Sequence, residues 1–220
     1  MTHKGTKTKF DYWLNKMPVV AILRGIRPEE VVAIGCAIHA AGVGIIEVPL
    51  NSPQPFASIK NLSDALGDEC VIGCGTLVNK TDAKRVAEAG AKIAVTPNVN
   101  PAIIKKCIKL GMLPAPGWAT PSEAFAAYKA GAKILKMFPA ATYGAGHAKA
   151  VAAVLPDDVT MLAVGGVGAN NAAEWLAAGI DGFGIGSEIY TPGLNAEEVS
   201  ERTQIIVNSI NLAKQNLRNI

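Results

Sequence analysis

The chain has 220 residues, of which 50% are apolar and 18% charged, and its formal net charge is +3. That length is enough to bury one substantial core, and the nearly neutral charge excludes the basic surface typical of nucleic-acid-binding proteins. No apolar run is long enough to cross a membrane, and the N-terminus lacks the apolar core of a secretory signal, which favours a cytoplasmic protein with neither nucleic-acid nor membrane partners.

The N-terminal residues 1–17 are predicted to form an extension before the main domain. Met1–Lys9 has the composition of a polar tail, and Phe10–Lys16 is predicted to be a short amphipathic helix. Residues 18–220 contain no linker and are predicted to form one domain. The 4 cysteines form no CxxC pattern and only 3 histidines are present. We therefore expect reduced thiols and no metal site.

A short pattern recurs along the chain, in which a helix ends at a glycine and a strand begins about two residues later. Glycine is favoured there because the residue after a helix often adopts a left-handed conformation. The pattern occurs at Gly42, Gly90, Gly111, Gly131 and Gly179. Together with an opening strand and one further strand in each of the two longest gaps, it predicts the strands Val19–Leu23, Ile45–Pro49, Cys70–Cys74, Ile93–Thr96, Leu113–Ala115, Ile134–Met137, Thr160–Val164 and Gly182–Ile185.

Helices are predicted between these strands, and the last one covers about Asn195 to Asn216. Their start signals are Pro28, Ser52-Pro53, Asn79, Asn100-Pro101, Thr120-Pro121 and Asn170. Eight strand–helix units in roughly 200 residues predict a single-domain α/β fold, the (β/α)8 TIM barrel, with a short N-terminal helical extension. An open, doubly wound sheet is the alternative, but it needs fewer strands and a reversal of strand order.

Two charged residues lie within otherwise apolar strands. Because side chains alternate between the faces of a strand, Glu47 shares a face with Ile45, and Lys136 shares one with Ile134. Lys133 faces the opposite way. If both isoleucines point into the barrel, Glu47 and Lys136 point there too. A plain structural ion pair is one explanation, since a buried charge is costly unless it is paired.

The functional explanation is that the lysine and the carboxyl group act together on a carbonyl substrate. Burial lowers a lysine pKa toward the unprotonated amine that attacks a carbonyl carbon. The resulting iminium withdraws electrons from the adjacent carbon–carbon bond, and a nearby carboxylate can move the protons. Lys136 and Glu47 therefore predict a metal-independent aldolase that forms a covalent imine with a pyruvate-like substrate and uses no cofactor.

The loops after the strands predict how a substrate is held, because active sites of these barrels form at the carboxyl ends of the strands. Glycine loops follow the last two strands, where such barrels commonly bind phosphate, and the first of them leads into a helix whose N-terminal amides suit an anion. Arg24 is suited to bidentate contacts with a phosphate or a carboxylate. We predict substrate contacts from Arg24, Thr76, Pro97, Phe138, Val164, Gly165, Gly166, Gly186 and Ser187.

Several segments between Pro18 and Tyr190, namely AILRG, EVPLNSP, GCGT, VTPN, PGWATPSEA, LKMFPA, VGGV and GIGS, together resemble a known family. That family comprises the 2-keto-3-deoxy-6-phosphogluconate and 6-phosphogalactonate aldolases. The resemblance implies retro-aldol cleavage of a sugar-acid phosphate to pyruvate and D-glyceraldehyde 3-phosphate. It also implies Lys136 as the Schiff-base residue, Glu47 as the general acid and base, and a homotrimeric assembly.

Two departures favour the 6-phosphogalactonate branch of that family. The gluconate branch typically has an arginine and a threonine in the segment after the catalytic glutamate, which here is Pro49-Leu50-Asn51-Ser52, and Val164 stands where that branch tends to have threonine. The two substrates differ only at C4, so activity on the gluconate epimer or on both stays open. An isomerase or epimerase with Glu47 as its base, and a non-catalytic barrel that binds a phosphorylated ligand, are the remaining hypotheses.

Overall fold

The computed structural model describes residues 3–218, which form a barrel of parallel strands surrounded by helices. The strands are β1 (Val19–Ile22), β2 (Ile45–Pro49), β3 (Val71–Gly75), β4 (Ile93–Val95), β5 (Leu113–Ala115), β6 (Gly117–Trp118), β7 (Ile134–Met137), β8 (Thr160–Val164) and β9 (Gly182–Ile185). The helices are α1 (His3–Lys16), α2 (Val31–Ala40), α3 (Pro55–Leu66), α4 (Asp82–Glu88), α5 (Pro101–Lys109), α6 (Pro121–Lys129), α7 (Ala140–Ala152), α8 (Ala172–Ala177) and α9 (Ala196–Arg218).

The strands form one sheet in the order β5-β4-β3-β2-β1-β9-β8-β7-β6. Its two outer strands, β5 and β6, are consecutive pieces of one stretch of chain that is interrupted at Pro116, so the sheet closes on itself. Proline has no N–H to donate to a neighbouring strand, which accounts for the interruption. Its carbonyl oxygen still accepts a hydrogen bond from the Lys136 N–H at 2.9 Å. The predicted (β/α)8 barrel is confirmed, but its fifth strand is split in two and extends to Trp118.

The predicted strands otherwise agree with the structure to within one residue at each end, and β3 is shifted by one residue toward Gly75. Helices α5 and α6 begin at the predicted signals, where the Asn100 and Thr120 side chains accept backbone N–H groups as N-caps. The other signalled helices begin slightly later, because the signal residues lie in the turns that precede them, and their first residues are Val31, Pro55, Asp82 and Ala172. Within residues 3–218, no helix has the length and apolar character needed to cross a membrane.

Helix α1 closes the amino-terminal end of the barrel. Phe10, Trp13 and Leu14 join the interior cluster made by the first inward-facing residue of most strands, such as Val20, Ile45, Val71, Ile93, Leu113 and Ile134. The prediction of a polar tail over Met1–Lys9 is wrong from His3 onward, where the chain is helical, while Met1 and Thr2 lie outside the described residues. The Lys9 ammonium donates to the carbonyl oxygens of Gly67 and Asp68, which anchors this part of the helix to the barrel.

Candidate active site

Glu47 on β2 and Lys136 on β7 both point into the barrel, as strand alternation predicts. Ile45 and Ile134, two residues before them, belong to the interior cluster. The side chains are nearly enclosed, with 3% exposure for Glu47 and 7% for Lys136. Lys133 lies on the outer surface, where its ammonium pairs with Asp158 at 2.6 Å. The structure therefore brings the two predicted catalytic residues to the interior and separates them from Lys133.

The neighbouring strand provides the room that the Glu47 carboxyl group occupies. Glu47 on β2 is in register with Gly73 on β3, and Gly75 follows one step further along the same face. A Cβ atom at Gly75 would lie 1.9 Å from Glu47 Oε2, so any larger residue there would displace the carboxyl group. Sequence reasoning missed this role, although a glycine inside an apolar strand is itself a signal that another group approaches closely.

Burial determines the protonation of the Glu47 carboxyl group. Removal from water raises its pKa from 4.5 to about 7, and the positive charges of Lys136 and Arg24 only partly oppose that rise. Among the described residues, none donates a hydrogen bond to Oε2. A carboxyl group with a pKa near neutrality and a free oxygen can both give and take a proton at physiological pH.

Burial also affects Lys136, in the opposite direction. Loss of hydration lowers the pKa of its amine, the negative charge of Glu47 opposes that shift, and the positive charge of Arg24 adds to it. Within residues 3–218, no ion pair joins Lys136 to a carboxylate. The Phe138 ring centroid lies 4.6 Å from Nζ. Burial thus shifts the Lys136 pKa in the direction of the unprotonated amine, which is the nucleophilic form.

A cavity of about 500 Å³ opens at the carboxyl ends of β1, β8 and β9. Phe138 lines this cavity and also contacts Lys136, so its ring connects the cavity with the buried amine. The cavity brings together most of the predicted substrate contacts, which are Arg24, Phe138, Val164, Gly165, Gly166, Gly186 and Ser187. Its volume falls in the range of pockets that enclose small organic ligands.

The two glycine loops form one wall of this cavity. Gly165 and Gly166 have φ values of +95° and +74°, which only glycine adopts without strain. The predicted contribution of helix amides to anion binding is only partly available, because the N–H groups of Gly168 and Ala169 already donate to Asn171 and Glu188. The glycine loops themselves are therefore the part of this wall that is open to a phosphate.

Thr76 and Pro97 are not brought into this cavity. They follow β3 and β4, and both side chains are half-buried at the barrel rim. Thr76 has a positive φ of +55° and directly follows Gly75, which faces the Glu47 carboxyl group. The two residues thus border the Glu47 side of the barrel rather than the cavity that the glycine loops line.

The residues described contain no cluster of three or more His, Cys, Asp or Glu side chains arranged to hold a metal ion. The chemistry available to this site comes from a buried amine, a buried carboxyl group and a cavity lined by glycine loops and an arginine. A buried amine and a buried proton carrier in the barrel interior, connected through Phe138 to a cavity for a small organic ligand, are suited to imine chemistry on a phosphorylated keto acid.

A model of the aldolase family described as KDPG and KHG aldolase matches residues 10–205. The chain belongs to this family. Its classification as an aldolase is thereby confirmed. The family membership does not support the alternative hypotheses of an isomerase, an epimerase or a non-catalytic barrel.

Three relatives have curated names that bear on the substrate. The 2-dehydro-3-deoxy-6-phosphogalactonate aldolase of Escherichia coli K12 is 41% identical over 92% of this chain and 99% of its own length. A protein of Rhizobium meliloti named "Probable 2-dehydro-3-deoxy-6-phosphogalactonate aldolase" is 44% identical over 84% of this chain and 87% of its own. The KHG/KDPG aldolase of Escherichia coli K12 is 30% identical over 79% of this chain and 81% of its own.

Two solved structures share the fold at similar identity. The native KDPGal structure has a TM-score of 0.89 and 42% identity, over 91% of this chain and 97% of that one. A chain of a cube-shaped protein cage, designed by fusing symmetric oligomeric domains, has a TM-score of 0.91 and 40% identity, over 93% of this chain and 76% of that one.

Proposed function

We propose that this aldolase cleaves 2-dehydro-3-deoxy-6-phosphogalactonate to pyruvate and D-glyceraldehyde 3-phosphate through an imine on Lys136. One observation carries the proposal: a buried amine whose pKa is lowered and a buried carboxyl group whose pKa is raised point into the same barrel interior. Each shift favours the uncharged group, which is the state that imine formation begins from.

The reaction begins at the C2 carbonyl group of the substrate. The unprotonated Lys136 amine attacks C2, and Glu47 delivers its proton to the carbonyl oxygen, which gives a carbinolamine. Glu47 then recovers a proton from the nitrogen and returns it to the hydroxyl group, which leaves as water. The product is an iminium ion between Lys136 and C2, so every proton passes through the one carboxyl group.

The iminium ion is the electron acceptor for bond cleavage. Glu47 removes the proton of the C4 hydroxyl group, the C3–C4 bond breaks, and its electrons move to form an enamine on C2 and C3. D-Glyceraldehyde 3-phosphate leaves as the aldehyde. Protonation of C3 and addition of water to the iminium then release pyruvate and regenerate Lys136. No metal ion or cofactor enters these steps, so a chelator is expected to leave the rate unchanged.

The cavity supplies the contacts that hold such a substrate. We place the phosphate against the glycine loops, with contacts from Gly165, Gly166, Gly186 and Ser187, and with the Arg24 guanidinium facing it. Phe138 and Val164 line the part of the cavity that leads to the amine. Thr76 and Pro97 lie outside this cavity, on the Glu47 side of the barrel, and we place them at the wall of the pyruvate end of the site.

The galactonate specificity is supported by two sequence positions and by the relatives. Asn51 and Val164 depart from the gluconate pattern, and the relatives with 41% and 44% identity are both named for the 6-phosphogalactonate substrate. Measured kcat/KM for the two C4 epimers tests this part. A large preference for the gluconate epimer would contradict it.

Covalent trapping tests the imine. Incubation with pyruvate and borohydride, followed by digestion and mass spectrometry, should place a pyruvyl adduct on the peptide that contains Lys136. The matched variants are Lys136→Arg, which should lose the adduct, and Lys133→Arg, which should retain it because Lys133 lies outside the barrel and pairs with Asp158. If the wild-type enzyme is active and the Lys136→Arg variant still cleaves the substrate, this mechanism is excluded.

We also propose that the enzyme is a cytoplasmic homotrimer. A designed cage built from symmetric oligomeric domains contains a chain 40% identical to this one, which supports a symmetric assembly. Light scattering coupled to size-exclusion chromatography measures the mass of the assembly and would reveal a monomer or a dimer instead.

A further inference from the structure

The turn that carries Arg24 is fixed on two sides by its backbone. The Gly25 N–H donates to Ser52 Oγ at 2.9 Å, which ties the turn to the segment after β2. On the other side, Gly25 has a φ of +84°, and a Cβ atom there would lie 2.7 Å from Pro192 Cγ. The backbone position of Arg24 is therefore set, and the direction of its guanidinium group depends on the contacts that its own side chain makes.

One such contact is with Asn51, whose Oδ1 accepts a hydrogen bond from Arg24 Nη1 at 2.7 Å. In the part of the chain that the structure describes, Arg24 forms no ion pair with a carboxylate. The amide of Asn51 is uncharged, so it orients the guanidinium group without neutralising it. The full positive charge stays available to an anion in the cavity, whereas a carboxylate at this position would compete with that anion.

We propose that Asn51 is a positioning residue that holds the Arg24 guanidinium group toward the cavity before the phosphorylated substrate binds. This inference rests on the proposed function, which assigns the phosphate to that cavity. Arg24 is exposed, and an exposed arginine loses side-chain entropy when a ligand orders it. A contact that orders it beforehand lowers this cost of binding.

The condensation direction gives a clean test, because the aldehyde can be supplied with or without its phosphate. For Asn51→Leu, the KM for D-glyceraldehyde 3-phosphate should rise about threefold to tenfold, the scale of ordering one long side chain. The KM for unphosphorylated D-glyceraldehyde, the KM for pyruvate and kcat should stay close to wild-type values. An equal rise for both aldehydes would contradict a role through the phosphate.

A double-mutant cycle then asks whether Asn51 acts through Arg24. Arg24→Ala should raise the KM for the phosphorylated aldehyde more strongly, and adding Asn51→Leu to it should cause no further rise. Such coupling is expected only for residues that act through one contact. If the two effects simply multiply, Asn51 does not position Arg24 and the inference is wrong.

Two further variants separate positioning from a general effect of the substitution. Asn51→Gln keeps the amide acceptor on a longer side chain, so its KM for D-glyceraldehyde 3-phosphate should stay close to the wild-type value. A rise in this KM as large as that of Asn51→Leu would overturn the inference. Asn208→Leu is the matched control, because Asn208 Oδ1 also accepts a side-chain hydrogen bond, from Gln204 at 3.0 Å on α9, away from the site. It should leave the kinetics unchanged.

The outcomes distinguish this inference from the proposed function. A wild-type enzyme that forms no pyruvyl adduct on Lys136 and condenses neither aldehyde would overturn the proposed function and this inference with it. A wild-type enzyme that passes both tests, combined with an uncoupled cycle, would overturn the role of Asn51 alone.

Discussion

The interior of the barrel and its rim handle charge in opposite ways. In the interior, burial raises the pKa of Glu47 and lowers the pKa of Lys136, and both shifts favour the uncharged form of the group. At the rim, Arg24 is exposed and keeps its charge beside an open cavity. The difference suits the two proposed roles, since a nucleophilic amine must lose its proton, whereas a contact for a phosphate dianion must remain positively charged.

Two lysines near each other in the sequence show the same contrast on a smaller scale. Lys133 lies outside the barrel, where its hydrogen bond to Asp158 raises the pKa of the ammonium group. Lys136 lies inside, where burial lowers the pKa of the amine. The same side chain is therefore a surface ion-pair partner in one place and a buried amine, proposed as the nucleophile, in the other, and strand alternation decides which.

The largest expected effect comes from removing the buried amine. Lys136→Met should lower kcat by on the order of 10⁴-fold or more, because no other group in this mechanism can form the imine. Lys133→Met should keep kcat within about a factor of three of the wild type, since surface substitutions have small effects. Steady-state cleavage rates measure both, and similar losses in the two variants would remove the contrast between inside and outside.

Removing the carboxyl group is expected to have the next largest effect. Glu47→Gln should slow turnover by about 10²-fold or more, the usual contribution of a proton-transfer group, while the fold stays intact. The pyruvyl adduct should still form on Lys136, but more slowly. Rapid-quench trapping with borohydride measures that rate, and an unchanged rate would assign the proton transfers to another group.

The raised pKa of Glu47 also has a consequence for stability. The pKa lies near 7 in the folded state and near 4.5 when the chain unfolds, so the folded protein holds more protons between these values. The free energy of unfolding should therefore decrease as pH rises from about 5 to 8, by about 2 kcal/mol from this group. Glu47→Gln lacks this term and should be the more stable protein at pH 8.

Denaturant unfolding of both proteins at pH 5 and pH 8 measures this difference. Lys136 contributes with the opposite sign, because its lowered pKa makes the folded state hold fewer protons than the unfolded state. The comparison of wild type with Glu47→Gln removes the titration of the glutamate itself, and a stability difference that does not change with pH would mean that Glu47 stays ionised.

Much of the fold could be read from the sequence because the barrel repeats a local pattern. Gly42 and Gly131 end helices at positive φ, as the recurring motif predicts. Strand alternation, with Ile45 and Ile134 as references, was sufficient to place Glu47 and Lys136. The split at Pro116 and the helical start at His3 were not predictable in this way, because they depend on barrel closure and on contacts between α1 and distant loops.

The sequence predicted candidate site residues, but it did not predict how they are arranged in space. Arg24 and the glycine loops, which the sequence predicts as substrate contacts, line one cavity, whereas Thr76 and Pro97 border another part of the rim. The hydrogen bond between Arg24 and Asn51 joins two loops, and Glu188 accepts a hydrogen bond from the Ala169 N–H in the segment of the first glycine loop. Such contacts depend on side-chain directions in three dimensions, and no local sequence pattern determines them.

Substitution of Gly75 has the smallest expected effect. It tests whether the Glu47 carboxyl group needs the space left by a glycine as well as burial in an apolar interior. Its φ is not in the left-handed region, so alanine is compatible with the backbone, but the added Cβ would lie 1.9 Å from Glu47 Oε2. Gly75→Ala should move the carboxyl group and lower kcat by about tenfold, with a loss of stability of about 1–3 kcal/mol from overpacking.

Gly146→Ala on α7 is the matched control, because a Cβ there has nothing within 4 Å and alanine favours the helix. If Gly75→Ala retains full kcat, the position of the Glu47 carboxyl group is adjustable and burial alone accounts for its role.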